Sequence, residues 1–403
     1  MNVCFQYRLY PTKEQVCQFE DTLETLRHLS NNALAERIDA YKHEGRTVKY
    51  VEQANYLPCL KRPDLPLSKI YSQVLQDCLR RLDTAYQNFF RRVKSVSAKP
   101  GFPRFKGVGR YRSFTYPQWN GSVKLDGYTL RLSKIGAVKM KLHRPLEGTP
   151  KTCTISRHAD GWYASIACEV EPSPLPKTGL DAGIDVGIET FATLSDTHDA
   201  IENPRHLQEA QARLRRCQRR LERRSRYSGT GKERKLLSKQ SKRREKAKLL
   251  LAKAHQKVKR ARLDFHHKIA HALVRKFDTL YVENLNISGM LRNHHLARAI
   301  SDASWGQFFV VLKSKAERAV KTVVEVCPRN TSQNCSACGE YVPKALSVRT
   351  HSCPYCGLVL HRDKNAAENI RKIGRHGAYL RERASVCRYI GRDTAIKRQR
   401  KCS

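Results

Sequence analysis

The chain has 403 residues, more than a single hydrophobic core usually serves, so we expect two to four domains. Lys and Arg number 77 against 37 Asp and Glu, and this formal excess of +40 predicts nucleic acid as the partner. The longest clear apolar run, Phe308 to Leu312, is far shorter than the roughly 18 residues of a membrane-spanning helix, so we expect no membrane segment and no membrane partner.

The N-terminal residues predict a β-strand followed by a helix. Apolar side chains alternate with polar ones over residues 1–10, as in a half-buried strand: Val3, Phe5, Tyr7 and Leu9. Pro11 interrupts this pattern, and Thr12 with Gln15 fits the capping box that begins a helix. Because polar residues interrupt this start, we expect no signal peptide, a cytoplasmic protein, nucleoid-associated when it acts on DNA, and cysteines that stay reduced.

Apolar residues at helical spacing predict a helical domain over residues 11–99. Its last helix places one apolar stripe opposite a polar, basic face that carries Gln73, Gln76, Arg80 and Arg81. Residues 100–175 contain short alternating segments, and with residues 1–10 they predict an antiparallel β-domain. Aromatic residues near its start are equally compatible with base stacking and with a β-core: Phe102, Phe105, Tyr111, Phe114 and Tyr116.

A third domain is predicted over residues 180–326. The segment GIDVGIETFATLSD is typical of two buried strands, and it puts Asp185 where a carboxylate needs a partner or a metal. A basic helical hairpin follows over residues 205–262, and Gln211 to Arg260 alone holds 21 Lys or Arg and three acidic residues. Charge of one sign on a helix favours phosphate contact over a solvated face.

Further elements of this domain are predicted from their apolar spacing. Thr279–Glu283 is expected as a strand that ends on an acidic residue, and Thr322–Val326 as another strand. Between them a helix is expected over about Asp302 to Val320.

Two CxxC pairs predict a zinc ribbon over residues 327–360. Fourteen residues separate the pairs, which is a loop length that brings four thiolates around one zinc ion: Cys335, Cys338, Cys353 and Cys356. Because all four coordination positions are filled, we expect the zinc to be structural.

Asp363 follows the ribbon and begins the last predicted helix, residues 361–373, before a basic tail over residues 374–403 that is expected to be disordered. Asp185, Glu283 and Asp363 each lie where an element starts or ends, as in the sites of α/β sheets. Three converging carboxylates predict two Mg²⁺ ions and hydrolysis of a phosphodiester.

These motifs together resemble the transposon-encoded TnpB (OrfB) family, relatives of compact type V CRISPR effectors. The similar segments, in chain order, are YRLYPTKEQ, PRFK, SFTYPQ, GIDVGI, VENL, TSQNCSACG, CPYCG and HRDKNAAENI. The resemblance implies a multidomain α/β protein: a RuvC-like nuclease domain of ribonuclease H fold with a zinc-ribbon insertion, and an N-terminal wedge-like β-domain interrupted by a helical recognition domain. It also implies that Asp185, Glu283 and Asp363 are the catalytic acids.

The resemblance further implies a monomeric ribonucleoprotein that holds a guide RNA from the transposon end and cuts double-stranded DNA beside a short motif. The expected nucleic-acid contacts are Gln73, Gln76, Arg80, Arg104, Lys106 and Arg329. One alternative is a guide-dependent DNA-binding protein that does not cut, acting as a repressor or transposition accessory. Another is an unguided RuvC-like nuclease acting on branched DNA, which would not need the first 175 residues.

Overall fold

The computed structural model of the chain describes residues 1–377 apart from 63–64, 96–99, 120, 197–199, 229–234, 238–239 and 346. The predicted tail from residue 378 onward therefore lies outside the described residues. The chain divides into two compact units, one over Met1–Glu171 and the other from Pro172 onward.

The first unit is built on an antiparallel sheet of seven strands. These are β1 (Asn2–Tyr10), β2 (Ser113–Tyr116), β3 (Val123–Asp126), β4 (Thr129–Leu132), β5 (Gly136–Lys141), β6 (Thr149–His158) and β7 (Gly161–Glu169). Their order in the sheet is β2-β6-β7-β1-β5-β4-β3. The N-terminal strand thus lies between β7 and β5, which confirms that it belongs to the sheet formed by residues 113–169.

Helices pack on this sheet. They are α1 (Lys13–Glu44), α2 (Tyr50–Leu60) and α3 (Ser72–Lys94), with a 3₁₀ turn at Pro66–Lys69. The capping box at Thr12 and Gln15 is present as predicted. Helices and sheet share one buried cluster, to which Phe19 of α1, Leu79 of α3 and Ile166 of β7 belong.

The second unit contains a mixed sheet of five strands. These are β8 (Asp181–Val186), β9 (Thr190–Leu194), β10 (Ala200–Glu202), β13 (Thr279–Glu283) and β14 (Thr322–Val326), in the order β10-β9-β8-β13-β14. The first three are antiparallel neighbours, whereas β13 runs parallel to both β8 and β14. Two small ribbons complete the strands: β11 (Tyr227–Ser228) with β12 (Lys235–Leu236), and β15 (Thr350–Ser352) with β16 (Val359–His361).

The helices of this unit are α4 (His206–Glu222), α5 (Lys242–Lys276), α6 (Ile287–Met290), α7 (Ala297–Ala303), α8 (Trp305–Arg318) and α9 over residues 362–377. The prediction of a single helix over about Asp302 to Val320 was wrong. Ser304 adopts a left-handed conformation with φ 53° and separates α7 from α8. Helix α9 continues past residue 373, where the basic tail was expected to begin.

Alternation along the strands gives the sheet two different faces. Ala182, Ile184, Leu280 and Val282 belong to the buried cluster that includes side chains of α5 and α8. The residues between them point to the opposite face, where Tyr281 and Ile370 of α9 pack together. Asp185 and Glu283 therefore lie on the face that α9 covers.

No helix among the described residues has both the length and the apolar character that crossing a membrane requires.

Candidate functional site

Two of the predicted acids are neighbours on adjacent parallel strands. Val282 of β13 is paired with Ile184 of β8, so the next residue along each strand brings Glu283 opposite Asp185. Neighbouring strands are about 4.8 Å apart, and the two side chains point to the same face. The register of the sheet thus places these carboxylates together at the C-terminal ends of β8 and β13.

Glycine allows α9 to lie directly on this face. A Cβ atom on Gly183 would be 2.1 Å from the carbonyl oxygen of Ala367 and 2.7 Å from the backbone nitrogen of Arg371. A Cβ atom on Gly374 would be 2.0 Å from the ring of Tyr281. Helix and sheet therefore meet at two points where only glycine fits, and α9 runs antiparallel to β8 and β13.

This contact carries Asp363 to the other two acids. Four helical residues separate Asp363 from Ala367 and advance about 6 Å, while two strand residues separate Asp185 from Gly183 and advance about 6.5 Å. Asp363 and Asp185 thus lie at nearly the same position along the direction of β8. It lies in the first turn of α9, where the helix dipole stabilises negative charge, and its side chain is 16% exposed.

The pKa of Asp185 responds to the other two carboxylates. Burial raises the pKa of Asp185 well above its ordinary value, and the negative charges of Glu283 and Asp363 raise it further, against the opposing influence of Arg362. Burial also raises the pKa of Glu283, which is 8% exposed, while a hydrogen bond from Thr331 opposes that shift. The site concentrates more negative charge than its own side chains neutralise.

Such a donor set suits a hard divalent cation, because carboxylate oxygens are the ligands that Mg²⁺ prefers. The three acids are not one tight cluster, since among the described residues only four cysteines form a group of three or more metal-binding side chains with all ligand atoms within 4.8 Å. Two ions about 3.5 to 4 Å apart can be held by carboxylates that are farther from one another, because the three acids do not all have to bind the same ion. Asp185, Glu283 and Asp363 are the residues that could hold them.

The four cysteines predicted as zinc ligands are brought together. Cys335 Sγ is 3.6 Å from Cys356 Sγ, and Cys338 Sγ is 3.6 Å from Cys353 Sγ. Tetrahedral coordination at a Zn–S distance of about 2.3 Å places sulfur atoms about 3.8 Å apart, so this geometry fits one zinc ion. Gly339 and Gly357 follow the two CxxC pairs with φ of 84° and 72°, a conformation that glycine adopts without strain.

The sequence did not indicate how the ribbon is attached to α9. Asn365 accepts a hydrogen bond from the backbone of Ser336 at 2.8 Å and donates one to the carbonyl oxygen of Asn334 at 2.8 Å. Asn369, one turn later, donates to the carbonyl oxygens of Asn334 at 2.8 Å and Thr331 at 2.9 Å. The sequence offered one signal, the four-residue spacing of two asparagines on one side of a predicted helix. In the structure both asparagines are buried.

The expected nucleic-acid contacts on α3 share one face but differ in what they already contact. Gln73, Gln76 and Arg80 follow one another at spacings of three and four residues. Gln73 Nε2 donates to Gln118 Oε1 at 2.6 Å, and Arg80 Nη2 donates to the hydroxyl of Tyr50 at 3.2 Å. Arg80 is exposed, whereas both glutamines are partly buried.

The other expected contacts also differ in accessibility. Arg104 and Arg329 are exposed. Lys106 is partly buried, with its ammonium 4.4 Å from the ring centroid of Tyr111, and this burial lowers its pKa. Of the aromatic residues near it, Phe102 and Phe105 remain 46% and 57% exposed, so these two are open to stacking. The others belong to the core: Tyr111, Phe114 and Tyr116.

The basic helical hairpin consists of α4 and the first half of α5. A narrow apolar seam holds it together, with Leu214, Ala254 and Val258 at its centre. Its cations lie mostly outside this seam; exposed examples are Arg215, Arg219, Lys246 and Lys253. Residues 229–234 and 238–239 between the two helices lie outside the described residues, and α5 continues without interruption to Lys276.

Three family models match the chain. One named for OrfB of IS605 and described as a probable transposase matches residues 165–294, and one described as a Cas12f1-like TNB domain matches residues 305–370. A third, described as a helix-turn-helix domain, matches residues 1–46, over which the structure has one strand and one long helix.

Comparisons over nearly the whole chain identify relatives of the same kind. A Streptomyces pristinaespiralis protein, named as a candidate RNA-guided DNA endonuclease, is 34% identical over 92% of this chain and 89% of its own length. InsQ of Escherichia coli K12, named in the same way, is 29% identical over 92% of each chain. The fold is similar to that of Cas12f1 solved with guide RNA and target DNA, with a TM-score of 0.52, 14% identity, and coverage of 89% of this chain and 83% of that one.

A protein named TnpB-like from Acanthamoeba polyphaga mimivirus is 32% identical over 33% of this chain and 27% of its own length. Similarity to the Streptomyces protein at this level of identity, over nearly the whole of both chains, is sufficient to assign a family. The chain belongs to the TnpB (OrfB) family.

Proposed function

We propose that this protein is an RNA-guided DNA endonuclease that hydrolyses DNA phosphodiesters at the site formed by Asp185, Glu283 and Asp363. The observation that carries the proposal is the position of all three carboxylates on one face of the sheet, at the ends of β8, β13 and α9. The names of the two long relatives support this activity. A RuvC-like fold for the second unit is part of the proposal.

The chemistry requires divalent cations at these acids. Two Mg²⁺ ions would supply activation of water and neutralisation of the leaving oxygen during phosphodiester hydrolysis. The residues of the chain hold and orient the carboxylates: the sheet fixes Asp185 beside Glu283, and the contact at Gly183 fixes Asp363 against them. A zinc ion held by the four cysteines would have a structural role.

The partners follow from the charge and the family. We propose that a guide RNA from the transposon end is bound by a single copy of the chain inside the cell, and that RNA–DNA pairing selects the double-stranded target. Exposed cations of the α4–α5 hairpin would contact phosphates, and Arg80, Arg104 and Arg329 are further exposed candidates.

Neutral variants of the acids test the proposal. In Asp185→Asn, Glu283→Gln and Asp363→Asn, we expect Mg²⁺-dependent cleavage of a guide-matched duplex to fall by at least about 100-fold, because each variant removes charge that the cations need. RNA affinity should change less than about threefold, since the proposal assigns guide binding to exposed cations and not to these acids. The measurements are cleavage rates on matched duplex and RNA binding by filter retention.

Asp264→Asn is the matched control, because Asp264 is an exposed acid of the same unit, paired with Lys268 on the surface of α5. It should cleave like the wild-type protein. If the wild-type complex binds matched DNA but leaves it intact, the protein is a guide-dependent DNA-binding protein. Cleavage of branched DNA without any RNA would instead identify an unguided nuclease.

A further inference from the structure

A buried chain of hydrogen bonds connects Glu283 to the segment that enters the zinc ribbon. Thr331 Oγ1 is 2.5 Å from Glu283 Oε1 and 3.2 Å from the carbonyl oxygen of Pro328. A hydroxyl has one proton, and the short distance to the carboxylate is typical of a charge-assisted O–H···O⁻ hydrogen bond. Thr331 therefore donates its proton to Glu283.

Thr331 is itself held from the other side. Its carbonyl oxygen accepts a hydrogen bond from Asn369 Nδ2 at 2.9 Å, and the same amide group reaches the carbonyl oxygen of Asn334 at 2.8 Å. Thr331 is 3% exposed and Asn369 is 7% exposed, so water does not replace these bonds easily. Asn365, which is fully buried, adds two more bonds to the same segment.

The helix that carries Asp363 thus also determines where Thr331 lies. Asn365 and Asn369 are four residues apart and lie on the same side of α9, and Asp363 lies two residues before Asn365. The threonine hydroxyl in turn fixes one oxygen of Glu283, which lies on a different element. One rigid helix is therefore connected to all three acids: to Asp363 directly, to Asp185 through Gly183, and to Glu283 through Thr331.

We propose that Thr331 is a positioning residue that orients the carboxylate of Glu283 for binding divalent cations. This inference rests on the proposed nuclease function of the three acids, and it goes beyond it by giving a role in the reaction to a residue of the segment that enters the zinc ribbon. Groups that orient a metal-binding carboxylate through a hydrogen bond commonly change metal affinity or activity by about 10- to 100-fold when they are removed.

Two substitutions separate the hydroxyl from the bulk of the side chain. Thr331→Val keeps the shape and removes the donor, whereas Thr331→Ser keeps the donor and removes a methyl group. We expect Thr331→Val, in complex with guide RNA, to lower kcat about 10- to 100-fold and to raise the Mg²⁺ concentration for half-maximal cleavage, with KM for the target unchanged. Thr331→Ser should remain close to the wild-type protein in all three quantities.

A second measurement does not depend on cleavage. Mn²⁺ binding to the guide complex is followed by the EPR signal of free Mn²⁺, and ions bound at the acids are identified as the difference from Asp185→Asn. Thr331→Val should lower the affinity for these Mn²⁺ ions about 10-fold or more. Zinc content and the melting temperature should stay near those of the wild-type protein. If Thr331→Val does not fold, Thr331→Ala takes its place against the same Ser variant.

Wild-type kcat and Mn²⁺ affinity in Thr331→Val would overturn the proposal. Equal impairment of the Val and Ser variants would also overturn it, because the methyl group rather than the hydroxyl would then matter. If the wild-type complex does not cleave matched DNA, the proposed function fails, and the Mn²⁺ measurement still decides whether Thr331 orients Glu283.

Discussion

Burial acts on individual ionisable residues in opposite directions in this protein. It raises the pKa of Asp185 and Glu283, because the charged form of an acid is disfavoured away from water. It lowers the pKa of His266, which is fully buried in α5, to about 4. The acids lie where cations can compensate them, whereas His266 is part of the core, with Phe191 and Phe308 next to its ring.

His266 should make stability depend on pH. The unfolded chain binds a proton at this residue below about pH 6.5, while the folded chain does not until about pH 4, so the free energy of unfolding should rise with pH between these values. The expected contribution is at most about 3 kcal/mol. Denaturant titrations at several pH values give the free energy of unfolding at each pH. Its increase with pH should be smaller for His266→Gln than for the wild-type protein.

His255→Gln is the matched control, because His255 is an exposed histidine on the same helix. Its pH dependence should equal that of the wild-type protein. Equal slopes for all three proteins would mean that His266 does not stay neutral in the folded state.

At the scale of elements, the site depends on how closely one helix approaches one sheet. Gly183 and Gly374 remove side chains from both points of contact between α9 and the strands β8 and β13. Arg375 near the end of α9 is paired with Asp181 at the start of β8, which adds a third contact. These contacts fix the position of Asp363 along the sheet, so the helix is a structural part of the acidic site.

Gly183→Ala should therefore reduce both the rate of cleavage and the stability of the fold. The new methyl group would meet backbone atoms of Ala367 and Arg371, which cannot rotate away, so α9 must move. A displacement of Asp363 by about 1 Å can cost about 100-fold in kcat, while overpacking costs about 1 to 3 kcal/mol of stability. Cleavage kinetics and thermal unfolding measure the two effects.

Gly306→Ala provides the comparison, because a Cβ atom at this position of α8 meets only the flexible end of Ile287 at 3.4 Å. It should retain full activity. A fully active Gly183→Ala variant would show that the site tolerates movement of α9.

At the scale of the whole molecule, the dominant property is charge. The excess of +40 is unevenly distributed, since Gln211 to Arg260 holds 21 of the 77 Lys and Arg residues and only three acidic ones. Most described residues of this segment belong to helices α4 and α5, whose small apolar seam leaves many of their cations exposed. Binding through such a surface depends strongly on salt, because each phosphate contact releases counterions.

Removing four exposed charges from the hairpin should weaken RNA binding and its dependence on salt. For the combined variant Arg215→Gln, Arg219→Gln, Lys246→Gln and Lys253→Gln, the slope of log affinity against log salt concentration should become shallower by up to about 3. Equilibrium binding at four or more salt concentrations measures it. The control exchanges Arg for Lys and Lys for Arg at the same positions. An unchanged slope in the neutral variant would mean that the hairpin faces solvent.

The sequence by itself determined the local features of this protein. Strands β1, β8, β13 and β14, the capping box of α1 and the grouping of the four cysteines were all predicted, because alternation, capping and ligand spacing are properties of neighbouring residues. Asp185 and Glu283 could be singled out because a carboxylate in or at the end of a buried strand is costly unless it has a function, and Asp363 because it begins a helix. The family was also recognisable from its motifs.

Only the tertiary structure decided how these parts meet. The sequence did not indicate the left-handed conformation of Ser304. The extension of α9 past residue 373, and the split of the aromatic residues into exposed Phe102 and Phe105 and a buried remainder, depend on packing between distant segments. The roles of Gly183 and Thr331 were equally hidden. Each depends on an atom more than 45 positions away in the chain, Ala367 for Gly183 and Glu283 for Thr331, and local spacing carries no information about such contacts.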